Sequence, residues 1–195
     1  MKKFFEKTKI ETVTYFACFY ANNKNFMIKL WTALAVTALI GVASGAANAE
    51  RFFSGTHAYL FKSLAAFGGV GFFEGLLHAV YFALVYLAAV NIYLSAVGFV
   101  TVFYAAFKLG AGMAAMTALY GLGGFINAIL IYLPVNLILT AALSSYLAVC
   151  LDYSRRGKRL TPEKRKPCYT AALREGLYFL IPVFAADIIA YLILL

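Results

Sequence analysis

One stretch of the chain limits its fold more than any other feature. From Gly75 to Leu151 there are 77 residues, and Lys108 is the single formally charged residue among them. A soluble domain has too little interior for so long an apolar run, and hydrophobic residues make up 64 % of the whole chain. This pattern excludes a soluble enzyme, a disordered protein and a disulfide scaffold. The sequence therefore predicts an all-α integral membrane protein, a helical bundle with little mass outside the bilayer.

A membrane-spanning helix needs about 20 apolar residues, and the sequence offers five segments of that kind. We predict five spans, near 30–49, 76–96, 98–120, 123–150 and 176–195. Gly98 and the cluster Gly121, Gly123 and Gly124 are predicted to mark the turns. We expect a single membrane domain, 1–195, because no linker or repeat divides the chain.

Basic residues lie in two patches, and both favour one orientation in the membrane. Residues 1–29 carry six lysines against two glutamates, and residues 151–175 carry eight basic against three acidic side chains. Because cytoplasmic loops are rich in Lys and Arg, both patches are placed in the cytoplasm. The 1–29 segment is expected to be an amphipathic helix on the inner leaflet, and 50–75 an extracytoplasmic segment that lies on the membrane or re-enters it. The C-terminus is then extracytoplasmic.

The 151–175 loop is predicted to contact anionic lipid headgroups. Its basic patch consists of Arg155, Arg156, Lys158, Arg159, Lys164, Arg165 and Lys166. The confinement of the positive charge to two membrane-flanking patches argues against nucleic acid as a partner.

Lys108 and Asp187 are the two ionisable residues that fall well inside predicted spans. An ionisable group at that depth costs several kcal/mol unless it is paired, solvated or able to reach the interface, so it marks a candidate site. Asp187 is a candidate partner of Lys108, and the sequence does not determine whether the two residues meet. The alternative is that Lys108 faces a groove in the protein and reaches a backbone carbonyl.

Two further features of the spans carry structural or functional interpretations. Pro134 removes a helix hydrogen bond, and Asn136 offers an amide to a neighbouring helix or to the freed backbone. The pair indicates either a structural kink or a discontinuous helix that lines a site. Gly41 and Gly45 form a GxxxG pattern, which favours close helix packing within the chain or between subunits of a homo-oligomer.

No constellation for catalysis, a cofactor or a metal is readable in the sequence. Glu74 and His78 are four residues apart and share a helix face, but His57 is the only other histidine, so three metal ligands are not evident. We expect His78 to be a helix-interface residue. We expect no enzyme activity, no cofactor and no metal.

The segment FKLGAGMAAMTALYGLGGFINAILIYLPVNLILTAALSSYL resembles the closing region of the stage II sporulation protein M family. In that pattern a span with a polar or basic residue followed by Gly leads through a short outer turn to a span with Pro two residues before Asn. The matching positions are Lys108, Gly110, Gly124, Phe125, Leu133, Pro134, Asn136 and Leu137. Many members of the broader family carry Glu shortly after the Pro, whereas Asn136 is similar to the sporulation-type members.

The resemblance implies a non-enzymatic scaffold in a bacterial cell membrane. Such a protein anchors and positions membrane-tethered peptidoglycan hydrolases, which remodel the wall during engulfment in sporulation. The alternative function is a membrane component of a transporter, with a polar midplane site around Lys108, Asn136 and Asp187. A partner of either kind would contact the spans or the outer segment.

Overall fold

A computed structural model of the chain describes residues 2–50, 70–160 and 162–194. Side chains are described from Tyr20 onward within these ranges, apart from Asn22, 70–76, 162–164, 191 and 193–194. The predicted outer segment therefore lies largely outside the described residues. Every regular element in the described part of the chain is helical, which confirms the all-α prediction.

Five α-helices and two short helical segments make up the described fold. They are α1 (Lys2–Ala47), α2 (Val70–Val90), a 3-10 turn (Ile92–Leu94), α3 (Ser95–Asn127), a π-helical turn (Ala128–Tyr132), α4 (Leu133–Lys158) and α5 (Pro162–Leu194). By length and composition, two stretches of the described residues are suited to cross a membrane, Asn23–Ala47 and Ile92–Lys158. Leu77–Val90 is a shorter apolar helix.

The first helix is longer than any bilayer requires. At 46 residues it extends about 69 Å, whereas the hydrocarbon core of a bilayer is about 30 Å thick. The predicted amphipathic segment 1–29 and the predicted first span are thus parts of one continuous helix. No Pro or Gly interrupts the sequence between them, so nothing in the backbone separates the two segments.

The stretch Ile92–Lys158 is a helical hairpin. Gly121 has φ 57° and ψ −136°, a region that is essentially open to glycine alone, and the chain reverses there. On the two arms of the hairpin, Gly98 lies against Leu147 and Gly112 lies against the Tyr132 ring. These contacts make α3 antiparallel to the chain that follows Gly121.

One predicted turn is wrong. Gly98 lies inside α3, and the break between α2 and α3 falls earlier, at Asn91, whose side chain accepts a hydrogen bond from the Tyr93 backbone N–H. Asn stabilises such a cap with its own side chain. A Cβ at Gly98 would meet the Leu147 side chain at 2.8 Å, so this glycine serves close packing between α3 and α4.

The core lies where α2, α3, α4 and α5 meet. The Tyr146 ring on α4 stacks on Phe82 at a centroid distance of 5.5 Å and is tilted against Phe179 at 6.1 Å. Gly176 on α5 gives this large ring its space, because a Cβ there would lie 2.5 Å from the Tyr146 hydroxyl oxygen. Leu30 and Leu34 bring α1 into contact with the same core.

Candidate functional site: a polar layer in the bundle

His78 on α2 and Asp187 on α5 form a buried pair. The distance from His78 Nδ1 to Asp187 Oδ2 is 2.8 Å, and the two residues are 2 % and 9 % exposed. A nitrogen and a carboxylate oxygen approach this closely only when a proton lies between them. A buried ionisable pair of this kind is a candidate functional site when it lies among apolar helices.

The carboxylate of Asp187 is only half satisfied. Its Oδ1 atom is buried and has no hydrogen-bond partner among the described residues. A buried carboxylate oxygen without a donor costs free energy, because the atom has lost water and gained nothing. The pair thus presents an acceptor atom that none of the described side chains satisfies.

Two tyrosines flank the pair on the side of α2 and α3. The Tyr81 ring lies 6.3 Å from the His78 ring, and Tyr104 on α3 meets Tyr81 edge to face at 6.2 Å. Because Gly98 lies against Val85 and Ala88, α2 and α3 run antiparallel. One helical turn beyond the Tyr81–Tyr104 contact leads to His78 on α2 and to Lys108 on α3.

Lys108 is therefore at the level of the His78–Asp187 pair, and it is itself 7 % exposed. Its backbone carbonyl accepts a hydrogen bond from the Tyr132 hydroxyl at 2.8 Å. Asp187 is the candidate partner of Lys108 by sequence, and the structure pairs Asp187 with His78. The reason is geometric: His78 lies on α2, which packs directly against α5, and its ring reaches the carboxylate.

Asn136 belongs to the same layer and is 6 % exposed. Its side-chain amide donates to the Tyr132 carbonyl at 3.0 Å, within its own helix, and not to a neighbouring helix. Pro134 stands in the first turn of α4, directly after the π-helical turn Ala128–Tyr132. Since Pro has no N–H, the helix widens before it and resumes after it.

Four buried polar residues of four helices thus lie at one level. From the Tyr146–Phe179 contact, Asn136 lies ten residues back along α4 and Asp187 eight residues further along α5, which is about 15 Å and about 12 Å of helix rise. We call this set the polar layer; it consists of His78, Lys108, Asn136 and Asp187.

Sequence reasoning identified three members of the polar layer and missed the role of His78. It placed His78 at a helix interface and considered Glu74 as its neighbour. The side chain of Glu74 lies outside the described residues. The available signal was a histidine and an aspartate in two apolar segments, but their register cannot be read from periodicity within either segment.

Gly41 and Gly45 lie at a close crossing between α1 and α3. A Cβ at Gly41 would meet the Phe107 carbonyl oxygen and lie 3.0 Å from the Ala111 nitrogen. A Cβ at Gly45 would lie 2.7 Å from the Ala111 Cα. On the other helix, Gly110 faces the Ala38 backbone. The GxxxG face of α1 therefore packs against α3 of the same chain.

The basic patch lies at the end of α4 and the start of α5. Arg156 Nη2 lies 2.5 Å from Asp152 Oδ2, and Lys158 Nζ lies 5.8 Å from the centroid of the Tyr93 ring. Arg165 donates from Nε to the Leu160 carbonyl. The remaining described members, Arg155, Arg159 and Lys166, are exposed, and Lys164 lies outside the described side chains.

A hydrogen bond ties the two helices together beside this patch. The Tyr153 hydroxyl donates to Glu175 Oε1 at 2.6 Å, and burial followed by this carboxylate raises the pKa of Tyr153 well above its ordinary value. Cys168 is half-buried, its thiol contacts the Tyr153 carbonyl at 3.7 Å, and burial raises its pKa. This end of the bundle is therefore ordered by specific contacts between α4 and α5.

Comparison with known proteins gives no match to a family model, a curated protein or a solved structure. Support for a function therefore comes from the residues and contacts of the chain itself.

Proposed function

We propose that the chain is a multi-pass protein of the bacterial cell membrane with five spans, a cytoplasmic N-terminus and an extracytoplasmic C-terminus. The contact between Lys158 and Tyr93 supports this topology. It brings the α2–α3 connection and the basic end of α4 to the same end of the bundle. Under the proposed topology both are cytoplasmic, as the positive-inside rule favours.

The outer faces of the helices support a bilayer environment. Large apolar side chains are exposed along α1, on the α3–α4 hairpin and along α5, where a soluble protein would carry polar residues. Those with more than half of their surface exposed on α1 and α5 are Ile28, Val36, Leu39, Ile40, Leu177, Tyr178, Ile181, Ile188, Ile189 and Leu192. Lipid is the solvent that suits such faces.

We propose further that the protein is a non-enzymatic scaffold of the stage II sporulation protein M type. Its partners would be membrane-tethered peptidoglycan hydrolases that act during engulfment in sporulation, and its basic patch would contact anionic lipid. The sequence pattern from Lys108 to Leu137 carries this proposal, and the interlocked interior agrees with it: Tyr146 fills the space between Phe82 and Phe179, and Gly176 admits its ring. A densely packed bundle holds its outer surfaces in fixed positions, which is what an anchor requires.

The test is site-specific photo-crosslinking in cells that make the protein. A photoreactive residue replaces Tyr59 in the predicted outer segment, and a matched variant carries it at Tyr93, at the proposed cytoplasmic end. Membrane-tethered wall hydrolases should be recovered from the Tyr59 variant and not from the Tyr93 variant. Absence of hydrolases from both, or their equal recovery from both, would contradict the scaffold.

A second candidate function is a membrane component of a transporter. The polar layer favours it, because four buried polar residues of four helices lie at one level and Asp187 Oδ1 has no partner among the described residues. Solute flux into vesicles, lost on Lys108→Met while the protein still folds, would support this function. Recovery of a cytoplasmic ATPase in the crosslinking experiment would favour it over the scaffold.

A further inference from the structure

We propose that the His78–Asp187 pair is a proton-binding site inside the bundle. The proposal concerns the polar layer, but it requires neither the scaffold nor solute flux. What carries it is the geometry of the pair: a Nδ1–Oδ2 distance of 2.8 Å, burial of both residues, and a carboxylate oxygen with no donor among the described side chains.

Proton counting gives the state of the pair. One proton lies between Nδ1 and Oδ2, since the lone pairs of a bare nitrogen and a bare oxygen would repel at this distance. With that proton alone, a neutral imidazole faces a carboxylate, and the pair carries one negative charge. Uptake of one proton from water makes the pair neutral, either as imidazolium and carboxylate or as imidazole and carboxylic acid.

Both forms of the neutral pair bind the same proton, so the uptake belongs to the pair and not to one residue. The carboxylic acid form places an O–H on the carboxyl group, and the imidazolium form places the proton on Nε2. In either form the net charge of the pair itself falls to zero.

Among the described residues no group of three or more His, Cys, Asp and Glu side chains is present, and a metal site needs at least three such ligands.

The titratable groups around the pair come from three helices. Tyr81 is on α2 with His78, Tyr104 and Lys108 are on α3, and Tyr132 precedes α4. Glu74 stands one turn before His78 on α2, and its side chain lies outside the described residues. Any of these groups changes the proton affinity of the pair through its charge, so the experiment has to isolate His78 and Asp187 themselves.

The chain makes this isolation simple, because it contains two histidines and two aspartates. The full chain is reconstituted in lipid nanodiscs with ¹⁵N-labelled histidine and the substitution His57→Asn, which leaves His78 as the only imidazole. The imidazole ¹⁵N signals report directly which nitrogen carries a proton. As the pH is lowered, the imidazole signals should change from those of the Nδ1-protonated neutral ring to those of a doubly protonated ring. If the proton binds the Asp187 carboxylate instead, the signals of the neutral ring should shift over the pH interval in which that carboxylate is protonated.

Asp187→Asn is the decisive variant, and the expected result is that the response no longer occurs over the same pH interval, because a buried imidazolium has then lost its carboxylate partner. Asp152→Asn, the same substitution at the exposed aspartate, is the matched control and should keep the response. An unchanged His78 spectrum over the whole pH range in which the protein is folded would overturn the proposal. A response that occurs over the same pH interval in Asp187→Asn, or that vanishes in Asp152→Asn, would also overturn it.

A second measurement covers the case in which Asp187→Asn does not fold. The chain is labelled with ¹³C-aspartate and carries Asp152→Asn, which removes the carboxylate of the exposed Asp152–Arg156 pair. Asp187 is then the only labelled carboxyl group. Its signal should move over the same pH interval as the His78 signals, because one proton is shared by both residues. Movement of neither signal, or movement at clearly separate pH values, would refute a shared site.

Discussion

The hydroxyl of Tyr132 donates a hydrogen bond to the backbone carbonyl of Lys108, 24 residues earlier and on the opposite arm of the α3–α4 hairpin. The Tyr132 ring lies directly over Gly112, where any Cβ would clash with it. One aromatic side chain thus fixes the distance between the two arms and satisfies a buried carbonyl beside the polar layer. The hairpin depends on this contact because both partners are buried.

Tyr132→Phe should therefore lower the free energy of unfolding by about 0.5–1.5 kcal/mol, the usual net value of one hydrogen bond. The ring and its packing are retained, and only the hydroxyl is lost. Thermal unfolding of the detergent-solubilised protein measures the effect. Tyr178→Phe, at an exposed position of α5, is the matched control and should change stability by less than that. Equal effects of the two substitutions would show that the Tyr132 hydroxyl is not specifically engaged.

Gly45→Ala should destabilise the protein, by about 1–3 kcal/mol, because the new methyl group meets the Ala111 backbone, which cannot rotate away. Gly123→Ala provides the contrast. Nothing lies within 4 Å of a Cβ at Gly123, and Ala is the better helix former there, so stability should stay level or rise. Both are measured as the folded fraction after heating in detergent. A Gly45→Ala protein as stable as Gly123→Ala would mean that α1 and α3 do not cross as closely as described.

Gly121→Ala tests the chain reversal. A Cβ at this position has open space around it, so any cost comes from the backbone conformation alone. With φ at 57° and ψ at −136°, a residue other than glycine is strained by about 1–3 kcal/mol. Thermal unfolding beside Gly123→Ala, two residues away, separates this strain from the effect of adding a methyl group. Equal stability of the two variants would contradict the reversal at Gly121.

Cys168 offers a test of topology and of pH dependence together. In a Cys18→Ser, Cys150→Ser background, a membrane-impermeant maleimide should label Cys168 in inverted vesicles and not in right-side-out vesicles. Because the thiolate is the reactive form and burial raises the pKa of this thiol, labelling near neutral pH should be slower than for an exposed cysteine. The rate should keep increasing as the pH rises through the ordinary range of thiol titration. Labelling only in right-side-out vesicles would reverse the proposed orientation.

Helix content and the general layout of this chain can be predicted from the sequence. The long apolar run predicts helices, because a helix satisfies its backbone hydrogen bonds within one segment, and the structure confirms the all-α class among the described residues. The chain reversal lies at Gly121, inside the glycine cluster that the sequence singled out. Local conformational preferences decide these features, and such preferences depend on consecutive residues of the sequence.

The register and rotation of one helix against another do not depend on consecutive residues alone. Glycine is typical of turns, but Gly98 lies within α3. Its missing side chain makes room for Leu147. Asp187 is the natural partner of Lys108 by charge, but His78 lies closer to it once α2 packs on α5. The apolar residues of each helix are too uniform to specify one face or one vertical offset.

The sequence by itself thus determined that this chain forms apolar helices, where its positive charges lie, and which residues are too polar for such surroundings. Only the tertiary structure decided which of those polar residues meet. The physical reason is that a pair such as His78 and Asp187, 109 residues apart, depends on the packing of two antiparallel helices, and small residues and large rings across the whole core set that packing.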